Sequence, residues 1–166
     1  MRNIISLIQD ILIHYKFIIH FTFGGDQMSE NLSLKSFVVL MKSSKAIQEQ
    51  IKLDIDSYGM RTSDFTVLEA LYHKGRQTIK QISDAVLINT GSITYVIDKL
   101  ETKGLLERSD CKEDRRVVYI QITKQGKEFM DEIFPKHQKV IEEIFLDLTE
   151  AEKTILIDLL KRVGKK

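Results

Sequence analysis

The sequence predicts a mainly α-helical (α+β) fold with one small β-hairpin, namely a winged helix-turn-helix flanked by N- and C-terminal helices. Three observations predict this fold class. Apolar side chains recur at helical spacing along most of the chain after residue 32. Two short helical segments are separated by a three-residue break at 87–89, which is typical of a helix-turn-helix. A polar turn and an alternating segment then follow, as in a β-hairpin.

The composition limits the classes of function. A length of 166 residues suits one compact domain, and 43% hydrophobic residues are enough for a core. The single cysteine, Cys111, excludes an internal disulfide and any multi-cysteine zinc site. We find no nucleophile–base pair, phosphate loop or metal-ligand spacing, so we predict no enzyme activity, no metal and no cofactor. The histidines are scattered at His14, His20, His73 and His137.

Net charge is only +1, but it is unevenly distributed. Residues 61–127 hold 12 basic and 9 acidic side chains, whereas residues 128–166 hold 7 and 9. The middle of the chain, which contains the predicted helix-turn-helix and hairpin, is therefore the basic part.

Residues 1–27 form an apolar N-terminal extension with three competing interpretations. The stretch "GGDQM" can be encoded as a bacterial ribosome-binding site just before Met28, so we interpret residues 1–27 as a mis-assigned translated leader. An added dimerisation helix is the second interpretation. A signal or membrane segment is the third, but no small-residue cleavage site follows. Four polar residues also interrupt the apolar run: Asp10, His14, Lys16 and His20.

The first two helices follow from apolar spacing and end signals. Residues 32–58 place apolar side chains on one helical face, and Gly59 is a plausible end. The next helix has Thr62 or Ser63 as its N-cap and ends at Gly75. Its predicted inward residues are Phe65, Leu68 and Leu71.

The helix-turn-helix comes next. A short helix opens with a capping box formed by Thr78 and Gln81. Its apolar residues are Ile79, Ile82 and Val86. The second helix, which Gly104 closes, has an inward face made of Ile93, Val96, Ile97 and Leu100. Its outward face is small and polar: Gly91, Ser92, Thr94, Tyr95, Asp98 and Lys99.

The hairpin and the C-terminal helices complete the prediction. The segment "LLERS", the polar tip "DCKED" and the segment "RRVVYIQI" predict two strands, the second with Val118, Ile120 and Ile122 on one side. Thr123 caps a long helix that Pro135 should kink or split. The last helix opens with a capping box formed by Thr149 and Glu152.

This order of elements, with the motif Asp114-x-Arg116-x5-Ile122-Thr123-x-x-Gly126, resembles the MarR family of bacterial transcriptional regulators. The segments "FTVLEALYHKG", "GSITYVIDKLETKGLLER" and "EDRRVVYIQIT" carry the resemblance, which runs from about Leu32 to the C-terminus. The family usually has leucine where this chain has Ile122. The resemblance implies a single domain over 28–166, with the winged helix at about 62–123 and dimerisation helices at 32–58 and 124–166.

An α-helix fits the major groove of B-DNA, where base edges carry a readable code. We therefore predict DNA contacts from Thr90, Gly91, Ser92, Thr94, Tyr95 and Lys99, against the alternative of an ordinary solvent face. The resemblance implies that Arg116 in the wing inserts into the adjacent minor groove. Asp114 would then orient Arg116, and Arg115 would meet a phosphate. The alternative for this tip is a surface ion-pair cluster.

The predicted function is a DNA-binding transcriptional regulator in the cytoplasm. The resemblance implies a homodimeric repressor of a pseudo-palindromic operator, released by a small aromatic or phenolic ligand, with no membrane partner. Two alternatives remain: a thiol-based redox or electrophile sensor acting through Cys111, and a winged-helix interaction module that does not bind DNA. Ligand-pocket candidates, each with core packing as its alternative, are Phe37, Met41, Tyr58, Met60 and His73. For His73, capping of its helix end is a further alternative.

Overall fold

The structure, a computed structural model, describes residues 31–86, 90–110 and 118–165. The described residues divide between two units, one up to Ala46 and the other from Ile47 onwards. The N-terminal extension at 1–27 lies outside the described residues. Its interpretation as a translated leader, and the single domain expected over 28–166, remain predictions.

Six helices and three short strands make up the described residues, and they confirm the predicted fold class. In chain order they are α1 (Leu32–Ser57), α2 (Thr62–Lys74), β1 (Gln77–Thr78), α3 (Ile79–Val86), α4 (Thr90–Thr102), β2 (Leu106–Asp110), β3 (Val118–Ile122), α5 (Lys124–Ile144) and α6 (Glu150–Gly164). The strands form an antiparallel sheet in the order β1-β3-β2. Strand β1 was not predicted, because two residues give no periodic signal.

Most helix ends follow the predicted signals. The backbone N–H of Gly75 donates to the Leu71 carbonyl at 2.9 Å and ends α2 with a φ of 70°, a conformation that glycine adopts readily. The start of α2 differs from prediction, because the N-cap is Arg61 rather than Thr62 or Ser63. Arg61 has extended backbone and makes no side-chain cap bond, so Thr62 already lies in the helix.

Both predicted capping boxes are confirmed. The backbone N–H of Thr78 donates to Gln81 Oε1 at 2.9 Å, and the Gln81 N–H donates to Thr78 Oγ1 at 3.2 Å. At the start of α6, the N–H groups of Thr149 and Glu152 make the equivalent bonds at 2.8 and 3.3 Å. The backbone hydrogen bond from Thr149 lowers the pKa of the Glu152 carboxyl.

The core of the second unit lies between α2, α3, α4, the sheet and α5. All four predicted inward residues of α4 are buried, and Ile120 of β3 is buried with Val118 and Ile122 packed against the same core. Each such side chain contributes about 1.5–3 kcal/mol by leaving water. The burial fixes which face of α4 points away from the core. The four α4 residues are Ile93, Val96, Ile97 and Leu100.

The Ile122-Thr123-x-x-Gly126 part of the motif forms the junction between β3 and α5. Thr123 accepts a hydrogen bond from the Gly126 N–H at 3.0 Å, as its predicted capping role requires. Its hydroxyl also donates to the Gly104 carbonyl at 2.6 Å, and its N–H donates to the Leu105 carbonyl at 3.2 Å. These bonds attach the start of α5 to the turn between α4 and β2.

Helix α5 is continuous through Pro135, so of the two predicted outcomes, a kink or a split, the split does not occur. The buried residues Met130, Ile133 and His137 flank Pro135 on both sides along the helix. Tertiary packing therefore outweighs the hydrogen bond that a proline removes.

Candidate nucleic-acid interface

The outward face of α4 carries the predicted contact residues that the structure describes. Thr94 is exposed, and Tyr95 is 63% exposed although it lies next to the buried Val96. A tyrosine offers both an apolar ring and a hydroxyl that donates and accepts hydrogen bonds. The backbone of Thr90, Gly91 and Ser92 forms the first turn of α4, whereas the side chains at these positions lie outside the description.

Lys99 was predicted to face outward with Tyr95, but its ammonium is bound to the protein. Lys99 Nζ lies 2.5 Å from Asp64 Oδ2. The side chain of Lys99 is 26% exposed and that of Asp64 is 2% exposed. This ion pair joins α4 to the first turn of α2. Local periodicity could not reveal it, because the partners are 35 residues apart.

A second ion-pair network attaches α4 to the wing, which consists of β2, β3 and the residues between them. The guanidinium of Arg108, on β2, donates to the carboxylates of Asp98 and Glu101 on α4. The Arg108 backbone N–H also donates to Glu101 Oε1 at 3.2 Å. The hydrogen bond to Asp98 is the main reason that the pKa of Arg108 is raised. No local pattern predicted this network, because it depends on the strand returning beside the helix.

The other edge of the sheet is held by the segment after α2. The guanidinium of Arg76 lies 4.2 Å from the centroid of the Tyr119 ring, within the range of a cation–π interaction. The side-chain amide of Gln77 donates to the Ala70 carbonyl at 3.0 Å. Strand β3 is thus held between β1 and β2, and the base of the wing is fixed on both sides.

The tip of the wing lies outside the described residues. This applies to Asp114, Arg115 and Arg116, which were predicted to contact DNA, and to Cys111. The last described pair of the ribbon is Asp110 with Val118. The predicted roles of these four side chains therefore remain predictions.

The ligand-pocket candidates are divided between the two units. Phe37 and Met41 are half-buried on the part of α1 that belongs to the first unit. In the second unit, Met60 is buried in the core and Tyr58 packs partly buried against it. His73 is exposed, and its ring meets Phe134 edge-on with centroids 4.6 Å apart.

A buried polar cluster that the sequence did not reveal lies between α1 and α5. His137 Nδ1 is 2.5 Å from Asp54 Oδ2, and both side chains are less than 10% exposed. The hydroxyl of Tyr58 donates to the other oxygen of Asp54. Burial and this hydrogen bond raise the pKa of Tyr58 to about 12. The Phe65 ring of α2 lies 4.6 Å from the imidazole of His137, centroid to centroid.

The described residues contain neither a membrane-spanning helix nor a cluster of metal ligands. Among residues 31–86, 90–110 and 118–165, no helix has the length and apolarity that crossing a membrane requires. In the same part of the chain, no three His, Cys, Asp or Glu side chains converge as metal ligands would.

A helix-turn-helix with an exposed polar second helix, attached to a β-ribbon wing, defines the chain as a winged-helix protein of the DNA-binding class. The MarR family model matches residues 62–118, which span α2 to the start of β3. The chain is 45% identical over 132 residues to the HTH-type transcriptional regulator MhqR of Bacillus subtilis, covering 80% of this chain and 91% of MhqR. The chain belongs to the MarR family of transcriptional regulators, as its motifs predicted, and this is not a family of enzymes.

Solved structures show the same fold at low sequence identity. One is BpsR of Bordetella bronchiseptica, a protein whose DNA binding is regulated by 6-hydroxynicotinic acid. It has a TM-score of 0.69 and 23% identity over 79% of this chain and 99% of its own. Another is Sco3205, a MarR family transcriptional regulator from Streptomyces coelicolor in complex with DNA. It has a TM-score of 0.72 and 18% identity over 78% of this chain and 84% of its own.

Proposed function

We propose that this regulator is a homodimeric repressor that binds a pseudo-palindromic operator and is released by a small aromatic or phenolic ligand. The exposed outward face of α4, opposite its buried apolar stripe, is the observation that carries the proposal. An exposed helix face of this kind can enter the major groove, where donor and acceptor patterns distinguish all four base pairs.

In the proposed complex, α4 supplies the major-groove contacts. Tyr95 and Thr94 are exposed on this face, and the first turn of α4, Thr90 to Ser92, supplies N–H groups that favour a phosphate. The wing supplies the minor-groove contact through Arg116, because a narrow minor groove attracts arginine. Asp114 orients Arg116, and Arg115 contacts a phosphate. The solved structure of Sco3205, which has the same fold, is of a complex with DNA.

The proposed dimer forms through the N- and C-terminal helices. None of the fifteen residues of α6, all of which the structure describes, is buried. Five of its apolar side chains are between 42% and 67% exposed: Ile155, Ile157, Leu159, Leu160 and Val163. Ile155, Leu159 and Val163 are spaced by four residues and share one helical face, and an exposed apolar face of this kind favours a protein partner. A second copy is the partner that DNA reading requires, because helix-turn-helix dimers bind two half-sites.

The proposed ligand acts in the cytoplasm, where the operator lies. Its candidate contacts are Phe37 and Met41 in the first unit and Tyr58, Met60 and His73 in the second. Support for its chemistry comes from BpsR, whose DNA binding is regulated by a hydroxylated aromatic acid. A phenolic ligand suits aromatic and thioether side chains, which favour flat apolar rings.

A binding titration tests the DNA-binding part of the proposal. Genomic fragments bound by the purified full chain are selected, and the affinity for the selected duplex is measured by fluorescence anisotropy at several salt concentrations. Affinity should fall steeply as salt rises, because phosphate contacts release counterions. Tyr95→Ala should weaken selected DNA more than scrambled DNA, whereas Lys139→Ala, an exposed change on α5, should alter neither. Identical affinity for selected and scrambled duplexes at every salt concentration would contradict the proposal.

A further inference from the structure

Asp64 is an almost completely buried acidic residue. Direct contact with DNA does not explain why it is buried there. It is 1% exposed, and it lies in the first turn of α2, where a negative charge interacts favourably with the helix dipole. Its carboxylate faces Lys99 Nζ at 2.5 Å, across the interface between α2 and α4. Buried carboxylates are rare unless they are paired, so this charge is held in place by a specific partner.

We propose that Asp64 is a positioning residue for DNA readout, which holds Lys99 and thereby sets the rotation of α4 in the major groove. The inference rests on the proposed function, because it takes α4 as the helix that reads DNA. It gives Lys99 a different role from the direct DNA contact expected from its outward position in the sequence.

The apolar stripe of α4 fixes which face of the helix points away from the core. Hydrophobic burial is non-directional, so the ion pair adds a restraint on the exact angle of the helix. A charge-assisted hydrogen bond is directional and fixes both rotation about the helix axis and sliding along it. Asp98, the residue before Lys99, is held by a second ion pair, since its carboxylate accepts a hydrogen bond from Arg108 of the wing. Consecutive helix positions differ by about 100°, so the two ion pairs restrain α4 from two directions.

The restraint at Lys99 acts directly on the DNA-facing side chains. Tyr95 lies four residues before Lys99, which is about one helical turn. A helix with its side chains has a radius of about 5–6 Å, so a rotation of about 10° moves an outer atom by about 1 Å. That displacement takes a hydrogen bond out of its useful range. Loss of the Asp64–Lys99 pair should therefore lower sequence discrimination rather than general attraction to DNA.

The two roles of Lys99 predict opposite effects of neutralising Asp64. If Lys99 contacts a phosphate, the Asp64 carboxylate competes for its ammonium, and Asp64→Asn should tighten binding to every duplex. If Asp64 positions α4, the same change should weaken binding to the operator and leave binding to scrambled DNA unchanged. The amide of asparagine keeps the size of the side chain, so the change is small enough to preserve packing.

The experiment measures the affinity of the full chain for the operator and for a scrambled duplex of equal length, over a series of salt concentrations. We expect Asp64→Asn to lower the ratio of operator to scrambled affinity by about tenfold or more, as the loss of one good base contact does. The salt dependence should not change. Lys99→Met, which keeps an unbranched apolar side chain, should have the same effect. In the double variant, Asp64→Asn with Lys99→Met, the affinity ratio should fall no further than in either single variant, because both changes remove the same interaction.

Two controls separate positioning from a loss of folding. Glu128→Gln removes the same charge from an exposed pair with Lys124 at 3.7 Å on α5, and it should leave the affinity ratio unchanged. Thermal unfolding by circular dichroism identifies any variant that is unfolded at the assay temperature. The double variant leaves no unpaired charge in the core, so it keeps the test available if a single variant does not fold.

The outcomes are distinct. Tighter binding of Asp64→Asn to both duplexes, with a salt slope lowered by about one in Lys99→Met, would assign Lys99 to a phosphate and overturn the inference. Equal losses on both duplexes would also overturn it. In both cases the wild type still binds its operator, and the proposed function stands. A wild type that binds no duplex would instead remove the proposed function, and this inference with it.

Discussion

Replacing Gly126 by alanine should destabilise the second unit, because the start of α5 touches the backbone of the turn before β2. A Cβ atom at Gly126 would lie 2.0 Å from the Leu105 carbonyl oxygen and 2.8 Å from Cγ1 of Ile122. The first of these neighbours is a backbone atom, so no change of side-chain rotamer can make room. Helix α5 and the turn must therefore move apart.

The size of the effect follows from the contacts at this junction. Separation would lengthen the bond from the Thr123 N–H to the Leu105 carbonyl and the bond from its hydroxyl to the Gly104 carbonyl. Each contributes about 1 kcal/mol. Overpacking strain adds about 1–3 kcal/mol, and the better helix propensity of alanine offsets about 1 kcal/mol. The free energy of unfolding should therefore fall by about 2–4 kcal/mol.

Urea unfolding followed by circular dichroism measures this change. Wild type and variant are compared at one protein concentration, since the stability of the proposed dimer would depend on concentration. The midpoint should fall by about 0.7–4 M, given slopes of about 1–3 kcal/mol per molar urea. Gly164→Ala is the matched control: a Cβ at Gly164 meets nothing within 4 Å, so its stability should be unchanged or slightly higher. A Gly126→Ala protein as stable as wild type would refute the view that close backbone contact requires glycine at this position of the motif.

Three further predictions concern the dimer, the buried cluster and the wing. Leu159→Glu places a charge on the exposed apolar face of α6 and should give a monomer in analytical ultracentrifugation, whereas Lys161→Glu on the same helix should leave the dimer intact. The pKa of Tyr58 is raised to about 12, so the folded state binds its proton more tightly than the unfolded state. The resulting stabilisation is complete below about pH 10 and is lost as pH rises to about 12; a Tyr58→Phe protein with the same loss in alkaline urea titrations would contradict this. Arg108→Met removes the bonds to Asp98 and Glu101 and should lower the unfolding free energy by about 1 kcal/mol while weakening operator binding; unchanged binding would show that the network does not position the wing.

The sequence predicted the parts of the fold that depend on local spacing. The inward face of α4 and both capping boxes involve residues at most seven positions apart, and the chemistry of each side chain indicates its place. The N-cap of α2 was wrong because three consecutive residues, Arg61 to Ser63, can all begin a helix, and the extended backbone falls on the first of them. Helix boundaries are decided by such small differences.

The parts that could not be predicted depend on pairs far apart in the chain. Asp54 and His137 are 83 residues apart, and nothing local marks either as buried. Lys99 was placed on the outward face by helical periodicity, but its long side chain reaches back to Asp64. Periodicity gives the direction of a Cα–Cβ bond, whereas a lysine ammonium lies several bonds further and finds its partner in three dimensions. Such pairs become visible only when the helices are packed.

A hydroxyl-radical footprint on the selected operator tests the central claim most directly, because it reports where each half of the proposed dimer contacts the DNA backbone. We predict two protected regions related by two-fold symmetry, with centres about 10–10.5 base pairs or a multiple of this apart. Arg116→Ala should lose the outer minor-groove protection and keep the central contacts. A single unsymmetrical region, or protection that does not depend on sequence, would contradict a dimer that places α4 in the major groove and the wing in the minor groove.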